Sequence, residues 1–241
     1  MASAGGVVGL LILAWGWHLM ALLERGFTLQ RCPVTNLFEA VLFVTWLVGG
    51  GCVVAAMRDE WRKAGMCGVM ALTVVGLLGL HPVLDGPGGA GEWEGAAVSL
   101  HVTLVLLAYA AFAVSAFAGL GWIWLGWGKE GEGEGVREGG WPCRGHFERV
   151  MTLTLVVGVI LLAAGLGLSF GLVRERYGVW WMTDLKTGWS LSVLAVYGGM
   201  AGWRLSHRSE VGWVAWGVVI GGVFVGLTFW GTNLLSRIHQ P

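Results

Sequence analysis

"RVMTLTLVVGVILLAAGLGLSFGLV" (149–173) carries one charge, and that charge, Arg149, is its first residue. A helix needs about 20 predominantly apolar residues to cross the hydrocarbon core of a bilayer, so this stretch reads as a membrane span. Six further apolar runs flank it, at roughly 6–23, 38–57, 66–82, 99–127, 189–205 and 212–233, the third and sixth being the shortest. Composition agrees. Of 241 residues, 56% are hydrophobic and 12% charged, with a mean hydropathy of +0.70. A soluble domain carries about 25% charged residues, so this chain lacks the polar surface to cover a water-facing globule. The 42 glycines follow no collagen period and are spread through the apolar runs, as close helix packing in a membrane requires. The expected fold is all-α: a polytopic helical bundle of about seven transmembrane helices, forming a single membrane domain over 1–241 with the lipid bilayer as solvent. Net charge is zero, and nothing points to nucleic acid as a partner.

The first run has no basic leader, and "GWHLMALLERG" (16–26) offers no small-residue cleavage site, so it reads as a retained span. Loop charge sets the orientation. With the N-terminus in the cytoplasm, the inner loops hold nine cations: Arg58, Arg62, Lys63, Lys129, Arg137, Arg144, Arg149, Arg204 and Arg208. The outer segments hold six: Arg25, Arg31, Arg174, Arg176, Lys186 and Arg237. The mixed-charge, glycine-rich stretch "GKEGEGEGVREGG" (128–140) is then an inner linker. His81, His101 and His239 fall on the outer side, His18 within the first span, and His146 and His207 inside.

Also outside lies "YGVWWMTDLKTGW" (177–189), which joins the fifth and sixth spans. Trp and Tyr at span ends commonly form interfacial belts, and a histidine there is commonly an ordinary interfacial side chain. A belt accounts for Trp180 and Trp189. It accounts less well for Asp184 two residues before Lys186. Haem offers a sharper alternative, being flat, apolar in its ring, doubly carboxylated, and able to take imidazole on both faces of its iron. Trp180, Trp181 and Trp189 could supply ring faces, Arg174, Arg176 and Lys186 cations for the propionates, and His101 and His239 the axial ligands.

Several stretches carry a resemblance. "YGVWWMTDLKTGWS" (177–190) is similar to a tryptophan-rich motif, W-G-x-x-W-x-W-D-P-K-E-T-W-S. It keeps Gly178, Trp181, Asp184, Lys186, Trp189 and Ser190, and departs at Tyr177, Thr183, Leu185 and Thr187. "CPVTNLFEAVLFVTW" (32–46) resembles P-x-S-N-L-Y-E-S-L-x-F-x-S-W; "SLHVTLVLLAYAAF" (99–112) and "WGTNLLSRIHQP" (230–241) resemble segments holding two outer histidines, matched by His101 and His239. Together they resemble the CcsA/ResC-type cytochrome c assembly family, which handles haem in the system II pathway, and the chain is also similar to HemX-like membrane proteins.

The resemblance implies a multi-pass protein of the bacterial inner membrane, with the tryptophan-rich loop and the C-terminus outside. It implies transiently bound b-type haem, whose iron His101 and His239 ligate while Trp180, Trp181, Asp184, Lys186 and Trp189 line the site. A CcsB/ResB-like membrane protein and apocytochrome c are the implied partners, the latter presenting thiols to the haem vinyls. The chain has no C-x-x-C-H, so it resembles a carrier or synthetase component and not the acceptor. Catalytic residues, and whether the chain forms the thioether bonds itself, stay open. The alternative is a HemX-like, non-catalytic regulator or scaffold of tetrapyrrole synthesis. A further family histidine, about thirteen residues beyond Trp189, is replaced here by Gly202; His207 reads as an inner-loop histidine, and no second, intramembrane haem site follows. Cys32, Cys52, Cys67 and Cys143 form no C-x-x-C pair and no disulfide framework.

Overall fold

The computed structural model describes residues 4–30, 32–34, 36–81, 84–85, 95–127, 141–180, 185–207 and 209–235. They form seven α-helices: α1 (Ala4–Leu29), α2 (Leu37–Ala56), α3 (Arg62–Gly79), α4 (Ala96–Trp127), α5 (Arg144–Tyr177), α6 (Leu185–Ser206) and α7 (Val211–Leu235). The all-α bundle expected from the apolar runs is what is found. Six helices are long and apolar enough to cross a membrane; α6 is not among them. The reason is compositional. α6 carries Lys186 and Arg204 near its ends with serines and glycines between, and it turns Ser190 and Arg204 into the protein interior. At 1.5 Å per residue, the 34 residues of α5 extend about 51 Å. That exceeds the ~30 Å hydrocarbon core, and both its ends are basic.

Many large apolar side chains point outward: Trp17 is 80% exposed, Leu13 71% and Leu227 74%. Such an outer face suits lipid and not water, which supports an integral membrane protein. The chain divides into two compact units, residues 1–86 with 130–146, and residues 87–129 with 147–241.

In the first unit, α2 starts at a capping box: the Asn36 side chain accepts from the Glu39 backbone N–H at 2.8 Å, and the Glu39 carboxylate reaches back to the Asn36 N–H at 3.4 Å. The N-x-x-E spacing dictates this start. Glu39 is fully buried, and Arg25 of α1 neutralises it, with Nε donating to Oε1 at 2.9 Å. Arg25 also pairs with Asp85, to which Asn36 Nδ2 donates at 3.0 Å. One guanidinium thus clasps the end of α1, the start of α2 and the segment after α3. Lower down, Trp15 stacks on Trp46 at 5.4 Å and donates Nε1–H to the Trp46 carbonyl at 3.0 Å. α3 lies against α2 at backbone contact. A Cβ on Gly65 would stand 2.5 Å from both Ala56 N and Cys52 O, so only glycine fits there.

In the second unit, α4 and α5 run antiparallel in one continuous register. Phe147 packs on Gly121, the Ser115 hydroxyl donates to the Met151 carbonyl at 2.9 Å, Phe112 packs on Gly158, and Val105 packs on Gly165. The buried α5 positions 147, 151, 155, 158, 162 and 165 recur at steps of three or four residues, the seam of a helix pair. α7 packs against α4 and α6. The Phe112 and Tyr197 rings meet at 4.1 Å, tying α6 to α4, and Arg204 of α6 forms an ion pair with Glu148 of α5.

Candidate functional site

The second turn of α4 carries His101, half-buried, with Nδ1 2.8 Å from the carbonyl oxygen of Gly165 on α5. A carbonyl only accepts, so Nδ1 bears the hydrogen, and in the neutral ring the Nε2 lone pair is left over. This is the arrangement of a metal-bound imidazole, whose second nitrogen is usually anchored on a carbonyl or carboxylate.

α6 brings the later half of the tryptophan-rich stretch beside it. Lys186, in the first turn of α6, is near enough to act electrostatically on His101. One turn further, the Trp189 ring lies 5.1 Å from Phe224 of α7, and its Nε1 is buried with no hydrogen-bond partner among the described residues. Ser190 is buried and shares a hydrogen bond with Tyr109 of α4. Positions 186, 189 and 190 lie on one helical face, and that face docks α6 onto the rest of the unit.

The earlier half is placed differently. α5 ends at Gly178, whose φ of +70° is the left-handed conformation that stops a helix; its N–H donates to the Arg174 carbonyl at 2.9 Å. The chain then folds back so that the Arg174 guanidinium sits over the Trp180 ring, 4.0 Å from its centroid, in a cation–π contact. Trp180 is 60% exposed. Trp180 thus has Arg174 over one side of its ring and Trp189 has Phe224 tilted against it, while Lys186 lies within electrostatic range of His101. Trp181, Asp184 and His239 lie outside the described residues. His207, just past α6, stacks on Trp203 at 4.0 Å. Among the described residues no cluster of three His, Cys, Asp or Glu side chains could hold a metal ion.

Sequence reasoning missed Gly165 and Tyr109, since each acts only through the pairing of α4 with α5 or α6. It also missed the Arg25 clasp, although the N-x-x-E of the capping box stands within the quoted stretch 32–46.

The chain matches no protein-family model. It is similar to the cytochrome c biogenesis protein CcsA of Synechococcus sp. (strain RCC307), at 25% identity over 269 aligned residues, covering 98% of this chain and 84% of that protein.

Proposed function

We propose that this chain is a haem-handling membrane component of system II cytochrome c biogenesis, holding haem at an outer site for attachment to apocytochrome c. The observation that carries the reading is the His101 imidazole, anchored through Nδ1 on Gly165 with Nε2 left as a ligand nitrogen. The similarity to a cytochrome c biogenesis protein over nearly the whole chain supports this reading over a HemX-like regulator of tetrapyrrole synthesis.

In this reading His101 and His239 are the axial ligands of a transiently held b-type haem. Lys186 is a cation for a propionate. Trp181 and Trp189 face the ring, and Asp184 orders the loop. Trp180, covered by Arg174, borders the site. The buried Trp189 N–H, without a hydrogen-bond partner among the described residues, suits a polar group of the cargo. Haem is the cargo, supplying vinyl groups to the thiols of the acceptor cytochrome; the protein contributes orientation and control of the iron's ligands. A CcsB/ResB-like membrane protein completes the complex, and the N-terminus lies in the cytoplasm.

The test is a haem spectrum of the protein purified from membranes. Two neutral imidazoles predict a six-coordinate, low-spin species. His101→Gly and His239→Gly should each lose haem and regain it with added imidazole, while His207→Gly does neither. A wild-type protein that takes up no haem overturns the reading.

A further inference from the structure

His101 is the sixth residue of α4, and a histidine there, next to apolar side chains, has two tautomers open to it. What decides between them is on the opposite helix. The Gly165 carbonyl points at Nδ1 from 2.8 Å. A helical carbonyl already accepts one bond from within its own helix but has a second lone pair to offer. For α4 to come this close, α5 must have no side chain at 165. A Cβ there would stand 2.9 Å from Val105 Cγ2, 3.5 Å from Leu104 Cβ and 3.5 Å from the Val105 nitrogen. Val105 is one helical turn from His101, so crowding at 165 opens the gap that the hydrogen bond spans.

We propose that Gly165 is a positioning residue for His101: its carbonyl holds the imidazole as the Nδ1–H tautomer and thereby keeps the Nε2 lone pair available to iron. The identity of the ligand rests on the haem reading above; the tautomer rests on the hydrogen bond alone. Two arrangements distinguish this role from helix packing in general. Gly158, seven residues earlier on the same seam, is more crowded still, with a Cβ position 2.5 Å from the Phe112 ring, yet it lies two turns away from Gly165. And the contact that Gly165→Ala creates is with a methyl that Val105→Ala removes.

The experiment has two parts. Nitrogen-15 NMR of haem-free, histidine-labelled protein, with His101 assigned by its loss in His101→Gln, reads the tautomer directly. The expected result is a protonated Nδ1 and an unprotonated Nε2; the opposite tautomer overturns the proposal whether or not the protein binds haem. Haem titration then compares variants. Loss of an anchoring partner typically weakens metal affinity about 10–100-fold. Gly165→Ala should therefore bind haem at least about tenfold more weakly, Gly165→Ala with Val105→Ala should recover most of that, and Gly158→Ala should stay near wild type. A Gly158→Ala protein that loses haem as much as Gly165→Ala, or a double variant with no recovery, assigns the effect to packing and overturns the proposal. Wild-type protein that binds no haem while showing the Nδ1–H tautomer sinks the functional reading and leaves the positioning of His101 established.

Discussion

Replacing Arg25 by Met keeps most of the aliphatic stem and removes the charge that faces Glu39. The two ion pairs of Arg25 contribute unequally. Asp85 is 39% exposed, and a pair with an exposed carboxylate is worth about 0–1 kcal/mol. Glu39 has no exposure at all, and the Arg25 side chain only 24%. Removing one partner of a buried pair costs about 3–5 kcal/mol, because a desolvated charge stays behind. Nearly all the loss in Arg25→Met therefore comes from Glu39. At about 2–4 °C per kcal/mol for a chain of this size, thermal unfolding in detergent should fall by about 6–20 °C. Glu39→Gln strands the guanidinium less severely, since Arg25 keeps Asp85 and some water, so its loss should be smaller. The double variant has no buried charge left to strand, Asp85 being part-exposed, and should be more stable than the two single losses added together predict. Strict additivity in that cycle, or a fall of less than about 2 °C in Arg25→Met, would refute the idea that one guanidinium neutralises a buried carboxylate.

Further outcomes are expected. Gly65→Ala should destabilise by about 1–3 kcal/mol, because the added methyl meets backbone atoms of α2 at 2.5 Å and backbone cannot rotate away; chemical unfolding in detergent measures it. Trp15→Phe should lose about 1 kcal/mol with its bond to the Trp46 carbonyl. Trp189→Phe, whose N–H has no partner among the described residues, should lose less in the same melt and should reduce haem retention. Single cysteines placed at Gly133 and Thr183, in a chain freed of its own four, should be labelled from the inside and the outside respectively; equal labelling of both from outside would overturn the expected topology.

The helices were legible as apolar runs, but their ends were not. The run expected at 149–173 is a helix from Arg144 to Tyr177, since apolarity tracks the hydrocarbon core while a helix continues through polar residues beyond it. The same holds for α1, expected at 6–23 and helical to Leu29, where Arg25 is held by Glu39 and Asp85. α3, expected at 66–82, runs from Arg62 to Gly79, so its basic first turn belongs to the helix. At the site, His101 could be singled out as a candidate ligand, and Lys186 as a candidate cation. Their proximity could not be read, because it depends on how α6 docks on α4. The anchoring of His101 was equally hidden: a backbone carbonyl has no signature in sequence, and Gly165 looks like any of the glycines of α5.

The seam between α4 and α5 also raises a question of alignment. Gly158 and Gly165 lie seven residues apart, as do the side chains they receive, Phe112 and Val105. A lock whose notches and wards share one spacing can close one notch out. Sliding α4 by about 10 Å, seven residues of rise, would seat Val105 at Gly158 and bring Val98 to Gly165, leaving the two helices still apolar face to apolar face. His101 would then be carried away from the carbonyl that anchors it. Two interactions near the other end of the seam make the helices commensurate in one way only: the Ser115 hydroxyl on the Met151 carbonyl, and Phe147 lodged over Gly121. The chemistry of His101 is thus indexed by a serine about four turns away, much as the zero of a vernier is fixed at the end opposite to the one being read.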